Sequence, residues 1–294
     1  MTGPGHHIVS RGYLRNFADK RGLIQLVWRN TLQAVTTPTG VGAVFKRTNF
    51  NTYRSSEGNA FDDLEDEWAR VEGLALPLLR RAAEGDKDDE TCAAVKVVAA
   101  MHLTRSEATH QLWKRTAQEH RHIDEEGRAR IEEAFQDEEG RPPEPGEIDA
   151  AFGAYFDANM MRNEAFVQQM VSTHNRLLEE LPNNVQLVRR NTRSAIGFIT
   201  ADIPVVIIDG PLTGFLAGVG IRTAENCLFP LSRDTAAFLT TRAEPDAVVA
   251  PYVVQQLNHR IWHGSLRQFV CHPDEDWHRA LARRIPPRDE VDGR

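Results

Sequence analysis

Apolar residues recur at intervals of three and four through Phe61, Leu64, Trp68, Val71, Ala75 and Leu78, the stripe of an amphipathic helix that Gly85 is expected to end. A second long helix opens at Asp88 or Asp89 and is predicted to run to about His122, with Val95, Val98, Met101, Leu112 and Trp113 inward. A more charged helix follows from Asp124 to about Asp137, and another fills residues 146–181 until Pro182-Asn183-Asn184 stops it. The Glu- and Pro-rich piece from Gln136 to Glu147 reads as an exposed connector between them. On either side of this helical middle the pattern changes. Ser10 caps a short helical turn through Phe17, residues 23–28 are rich in strand formers, and an extended piece over residues 41–46 is a candidate partner. Strands are predicted again over residues 185–188, 198–200, 205–208 and 227–231, helices over 234–239 and 245–263, and a last apolar stretch over 266–271. Residues 210–220, glycine-rich and apolar, read as a flexible loop.

This order predicts an α+β protein, a mainly helical domain with a small β-sheet formed by N-terminal and late strands, rather than a repeating βαβ unit. The expected organisation is a single domain over residues 1–285, helical at 60–181 and strand-rich at 185–232 with a helix and strand after it. Residues 286–294 are expected to be a disordered tail.

Several polar groups fall on the apolar stripes. Helical stepping puts His102, Arg105 and Thr109 beside Val98, Met101 and Leu112. A buried arginine is costly unless paired, so Arg105 needs a carboxylate or a bound anion, as a structural ion pair or as a ligand contact. Glu65 and Glu72 lie seven residues apart on one flank of the Trp68 stripe, about 10 Å along the axis, where they serve as acid and base, as metal ligands, or as a solvated helix edge. Asn258 sits among Val254, Leu257 and Ile261, where an amide requires a partner. Asp202 is placed in a break between two strands, a position that suits a site and equally a turn former. His259 and His263 have the spacing of a helical metal pair without the glutamate of H-E-x-x-H, and His120 and His122 stand in a charged, solvated stretch.

The N-terminal run from His6 to Phe17 gathers two histidines, Arg11, Arg15 and the apolar anchors Tyr13, Leu14 and Phe17. His6-His7-Ile8-Val9 resembles the start of a nuclease motif in which a histidine acts as base beside a metal. The rest of that motif is missing, since Asn49 and Asn51 are followed by Tyr53 and no histidine before His102. A net charge of −7 disfavours a broad basic nucleic-acid face, and Arg189-Arg190-Asn191-Thr192-Arg193 is the best local phosphate-binding cluster. Three scattered cysteines, Cys92, Cys227 and Cys271, fit free thiols in a reducing cytoplasm. No export signal and no run of about 18 apolar residues appears, so no membrane role is expected. Nucleotide P-loop, dinucleotide glycine and serine-hydrolase signatures are absent from the chain.

In order along the chain stand His6-His7-Ile8-Val9, Tyr13-Leu14 and Phe17; Asn49-Phe50 and Tyr53; Glu65 and Glu72; Arg105; Phe198-Ile199-Thr200-Ala201-Asp202 with Pro204-Val205; Phe229-Pro230-Leu231-Ser232; and Asn258. Over about residues 5–272 this order resembles the bacterial family of unknown function DUF4238. The sequence departs from that pattern at Ser10, usually proline, and at Ile203, where asparagine commonly follows the aspartate. The resemblance implies a largely helical α+β domain with a small sheet, and one constellation of histidine, glutamate, arginine, aspartate and asparagine; it supplies no activity. Two functions fit. One is a metal-assisted hydrolase, acting on a phosphodiester or nucleotide, with His6, His7, Glu65, Glu72 and Asp202 as catalytic groups. A divalent metal ion would be held by His7, Glu72 and Asp202, and substrate by Arg11, Tyr13, Arg105 and Asn258. The other is a noncatalytic module for a small anionic ligand or a partner peptide. A third reading leaves the inward polar cluster purely structural.

Overall fold

A computed structural model describes residues 5–35, 37–48, 50, 53–54, 60–61, 63–119, 125–159, 163–208 and 224–275. The predicted loop at 210–220, His120, His122, Asn49, Asn51 and the tail at 286–294 lie outside the described residues.

Strand β1 (Gly5–His7) enters helix α1 (Arg11–Leu14) through Ser10, whose hydroxyl accepts the Tyr13 N–H at 3.4 Å, the cap expected of it. A tight turn over Arg15–Phe17 leads to β2 (Leu23–Trp28). After β2 come β3 (Thr39–Gly40), a second tight turn over Val41–Ala43, β4 (Lys46–Thr48), and the small hairpin β5 (Tyr53–Arg54) and β6 (Ala60–Phe61). The helical middle holds α2 (Asp63–Glu84), α3 (Asp89–Thr104), α4 (Glu107–Glu119), α5 (Glu125–Glu139), α6 (Glu147–Asn159) and α7 (Asn163–Glu180). The late part holds β7 (Asn184–Arg190), β8 (Thr200–Ala201), β9 (Val206–Ile207), β10 (Asn226–Pro230), β11 (Thr235–Thr240), β12 (Ala247–Val249), α8 (Pro251–Gly264) and β13 (Gln268–Cys271).

The architecture is α+β, and N-terminal and late strands share a sheet, since β2 pairs antiparallel with β13 in a four-stranded order β3-β2-β13-β8. A larger sheet, ordered β12-β7-β11-β10-β9, is antiparallel except for β12 beside β7. Its β11 corrects the helix expected at 234–239. Both faces of Thr235–Thr240 are covered, so no two-residue alternation shows, and the alanines read locally as helix formers. Tertiary pairing decides the state: the Ser232 hydroxyl accepts the N–H groups of Asp234 and Thr235 and turns the chain back from β10. Likewise the helix expected from 245 begins only at Pro251, its first-turn proline, because Ala247–Val249 pairs with β7.

The long helix expected from Asp88 or Asp89 is divided. Arg105 leaves helical geometry at φ −79°, ψ 3°, and the Ser106 hydroxyl accepts the Thr109 N–H at 3.1 Å to start α4. The expected helix at 146–181 is α6 and α7, with residues 160–162 outside the description. The expected partner of β2 at 41–46 is also replaced. Lys46–Thr48 pairs with β1, matching His7 to Lys46 and His6 to Arg47, while β3 takes the place beside β2. The connector after α5 is as expected, turned by Gly140 and Gly146 at positive φ and held by Arg141 on Glu147 at 2.7 and 2.9 Å.

Packing centres on α2 and α3 against α1, α7 and the larger sheet, with Tyr13, Phe17, Leu79, Val98, Phe166 and Phe229 fully buried. Gly85 closes α2 at φ +109° with its N–H on the Arg81 carbonyl, and the Arg189 guanidinium fills the space where a Cβ would stand. Gly85→Ala should therefore lower the free energy of unfolding by roughly 1–3 kcal/mol, measured by urea denaturation, with the slope of the transition unchanged.

Candidate functional site

The N-terminal segment is fastened to the helices by a guanidinium. Arg105, 1% exposed at the end of α3, donates from Nη1 to Glu72 Oε1 at 2.8 Å and from Nη2 to the His7 carbonyl, with Glu65 Oε1 at 3.5 Å. Both glutamates reach it because they sit one heptad apart on α2, on the flank beside buried Trp68. The second oxygen of Glu72 accepts the Ser10 hydroxyl at 2.8 Å. Ser10 in turn directs its N–H at Nε2 of His102 at 3.4 Å, so cap, carboxylate, guanidinium and imidazole form one network.

Tyr13 continues that network into the sheet. Its ring meets His102 edge-on at 4.7 Å and stacks on Phe229 at 5.3 Å. Its hydroxyl donates to the Pro230 carbonyl and accepts from Thr200, both at 2.7 Å, and burial pushes its pKa well above the ordinary phenol range. Burial, and then the nearby Arg105 charge, hold His102 down at a pKa of about 3. A neutral imidazole that accepts the Ser10 N–H carries its proton on Nδ1.

His7 is half-buried beside the Val41–Ala43 turn, with Nε2 3.3 Å from the Gly42 carbonyl. Burial lowers its pKa, the Gly42 bond opposes that, and Lys46, Arg11 and Arg105 lower it further. Arg11 and Lys46 are exposed, and the Arg11 Nε lies 3.9 Å from where a Cβ on Gly42 would stand. His6 is buried on the other face of β1, opposite Arg47 in register. Arg47 binds Glu107, whose other oxygen takes Arg267 at 2.6 Å, linking the β1–β4 ribbon through α4 to β13.

Asp202 and Asn258 lie on the sheet side. Asp202 is buried and accepts three backbone N–H groups, from Leu266 at 2.9 Å, Arg267 at 2.7 Å and Gln268 at 3.2 Å. Burial raises its pKa against those bonds, with Glu107 adding to the rise. The Asn258 amide is spent on backbone as well, accepting from Ile199 at 3.1 Å and donating to Gly197 at 2.8 Å. Both side chains thus brace the 197–202 segment against α8 and the start of β13.

Of the residues singled out from sequence, His7, Tyr13, Glu65, Glu72 and Arg105 come together around Ser10 and His102, with Arg11 at the rim. The trio proposed to hold a metal, His7, Glu72 and Asp202, does not assemble. Among the described residues no three side chains of histidine, cysteine, aspartate or glutamate are grouped to hold an ion, because Glu72 is turned onto Arg105 and Asp202 onto the backbone of 266–268. His259 and His263 are neighbours, their rings 4.7 Å apart, and join no such group. In the 189–193 cluster, Arg190 is taken up by Asp234 and the Ser194 carbonyl. Sequence reading named Ser10 only as a cap; its second bond, to Glu72, needed the tertiary fold.

With this arrangement in view, comparison with known proteins places the chain in a family: it belongs to the one described as "Protein of unknown function (DUF4238)", matched over residues 5–276. No curated protein and no solved structure matches it.

Two outcomes follow from the network. Because His102 has a folded-state pKa of about 3, below the ordinary 6.5, the unfolded chain binds its proton first. The stability tied to its neutral form is whole above pH 6.5 and is lost as pH falls from there toward 3. His102→Gln should flatten that part of the wild-type curve of unfolding free energy against pH. Arg105→Ala, which strands Glu72 against Ser10, should cost about 3–5 kcal/mol in chemical denaturation, and adding Glu72→Gln should recover part of it.

Proposed function

We propose that the protein binds a small anionic ligand, phosphate-bearing by preference, at the opening between the β1–β4 ribbon, the start of α1 and the Val41–Ala43 turn. The observation that carries this reading is the charge around His7. Three cations, Lys46, Arg11 and Arg105, act on its imidazole, and only the last is neutralised by glutamates. Among the described residues neither Lys46 nor Arg11 forms a salt bridge, in a chain whose net charge is −7. Two exposed cations beside the half-buried ring suit an oxyanion.

Most of the other polar groups proposed for catalysis are committed within the protein, which favours capture over turnover. Hydrolysis of a phosphodiester or nucleotide is the second reading, and the lowered proton affinity of His7 favours it, since the imidazole is free of its charge near neutral pH and can act as base or ligand. A divalent metal in that reading would need ligands beyond His7, from the substrate and water. The three cysteines are separate thiols, which supports a reducing compartment, the cytoplasm. No described helix is long and apolar enough to cross a membrane.

Calorimetric titration with inorganic phosphate and with nucleoside monophosphates tests the proposal. Arg11→Ala and Lys46→Ala should each weaken binding about tenfold, and more salt should weaken it too. Unchanged affinity in the double variant would remove this site. For the second reading, a chromogenic phosphodiester assayed with a series of divalent metals should give turnover that His7→Ala abolishes; no turnover with any of them leaves capture alone.

A further inference from the structure

Helix α8 carries His259 and His263 one turn apart, and their rings come together, with centres 4.7 Å apart and planes inclined at 50°. Both residues are half-buried. Trp262, on the same helix, is buried, and its Nε1 donates to the Arg29 carbonyl at 3.3 Å. The Trp262 ring lies edge-on to both histidines, 5.2 Å from His259 and 4.4 Å from His263, so one anchored indole packs against the two imidazoles and limits their rotamers.

The separation suits a shared metal ion. A metal–imidazole bond of about 2.1 Å places the ring centre about 3.2 Å from the metal, and two centres 4.7 Å apart then subtend about 95° at it, the angle between neighbouring ligands in square-planar or octahedral geometry. Each imidazole gives one nitrogen to the metal and keeps the other for the protein. Burial, and then the Arg260 charge, lower the pKa of His259, so that ring is neutral near pH 7, as a ligand must be. The surroundings select the kind of ion. Among the described residues no carboxylate or thiolate joins the pair, and the Arg29 guanidinium is bonded to the His263 carbonyl at 3.1 Å. Magnesium and calcium, which are held by oxygen ligands and negative charge, find neither here; an ion that bonds to neutral imidazole does.

We infer that His259 and His263 form a two-imidazole site for a divalent transition-metal ion, tightest for copper(II), with water or an incoming ligand in the remaining positions. It shares no residue with the anion site proposed around His7, so either can fail alone.

Calorimetric titration of the dialysed full-length protein with copper(II) tests this. One equivalent of micromolar affinity is expected that His259→Gln and His263→Gln each weaken at least tenfold, with the double variant losing no more than about what one variant loses, because both rings hold the same ion. Glutamine suits a helix, so circular dichroism should show the wild-type helical content in all three variants. Coinciding isotherms for the wild type and the double variant would overturn the inference. If a variant does not fold, anomalous diffraction from a zinc-soaked wild-type crystal decides: a peak about 2.1 Å from a nitrogen of each ring supports the pair, and a peak on one ring alone, or none there, counts against it.

Discussion

A buried positive charge sets the terms for the rest of this structure. Arg105 is withdrawn from water, and such a charge persists in a fold only with opposite charge and hydrogen bonds arranged around it. That requirement draws in two glutamates from α2 and the backbone of β1, elements far apart in the chain. It also explains why α3 stops where it does. The break at Arg105 and Ser106 lets the guanidinium leave the helix stripe and reach across to the N-terminal strand while α4 starts afresh.

The network then passes stability and chemistry from one part to the next. Glu72 orients Ser10, Ser10 both caps α1 and engages His102, and His102 packs on Tyr13, whose hydroxyl reaches the sheet at Pro230 and Thr200. The hydrogen bonds at Glu72, Ser10 and the Tyr13 hydroxyl satisfy polar groups in turn, so the cost of losing one is shared by the others. The balance is different at the rim. His7 lends its carbonyl to Arg105 but leaves its imidazole half-buried, beside the exposed Lys46 and Arg11. One residue therefore stands between the buried network and the exposed cations of the rim.

The four-stranded sheet and α8 use polar side chains for a different task. Asp202 and Asn258 look like site residues in a sequence because a short acid at a strand break and an amide on an apolar helix face are both unusual. In three dimensions their donors and acceptors are matched by backbone groups of segments that lack regular pairing there. They hold the edge of the four-stranded sheet against α8, and Glu107, between Arg47 and Arg267, connects that edge back to the β1–β4 ribbon.

What the sequence determined by itself is the local chemistry that depends on spacing. The Trp68 stripe with its glutamate flank, the Ser10 cap and the inward Arg105 each follow from helical geometry and from the cost of leaving charge unpaired. The order of helix and strand segments was enough for the α+β class. Tertiary structure decided what spacing cannot encode. Thr235–Thr240 is a central strand because both its faces are covered, a condition set by distant segments, although its residues favour a helix locally. Whether a carboxylate is open to a metal or engaged within the fold depended on the partner the tertiary structure sets beside it: Arg105 for Glu72, and the backbone of 266–268 for Asp202.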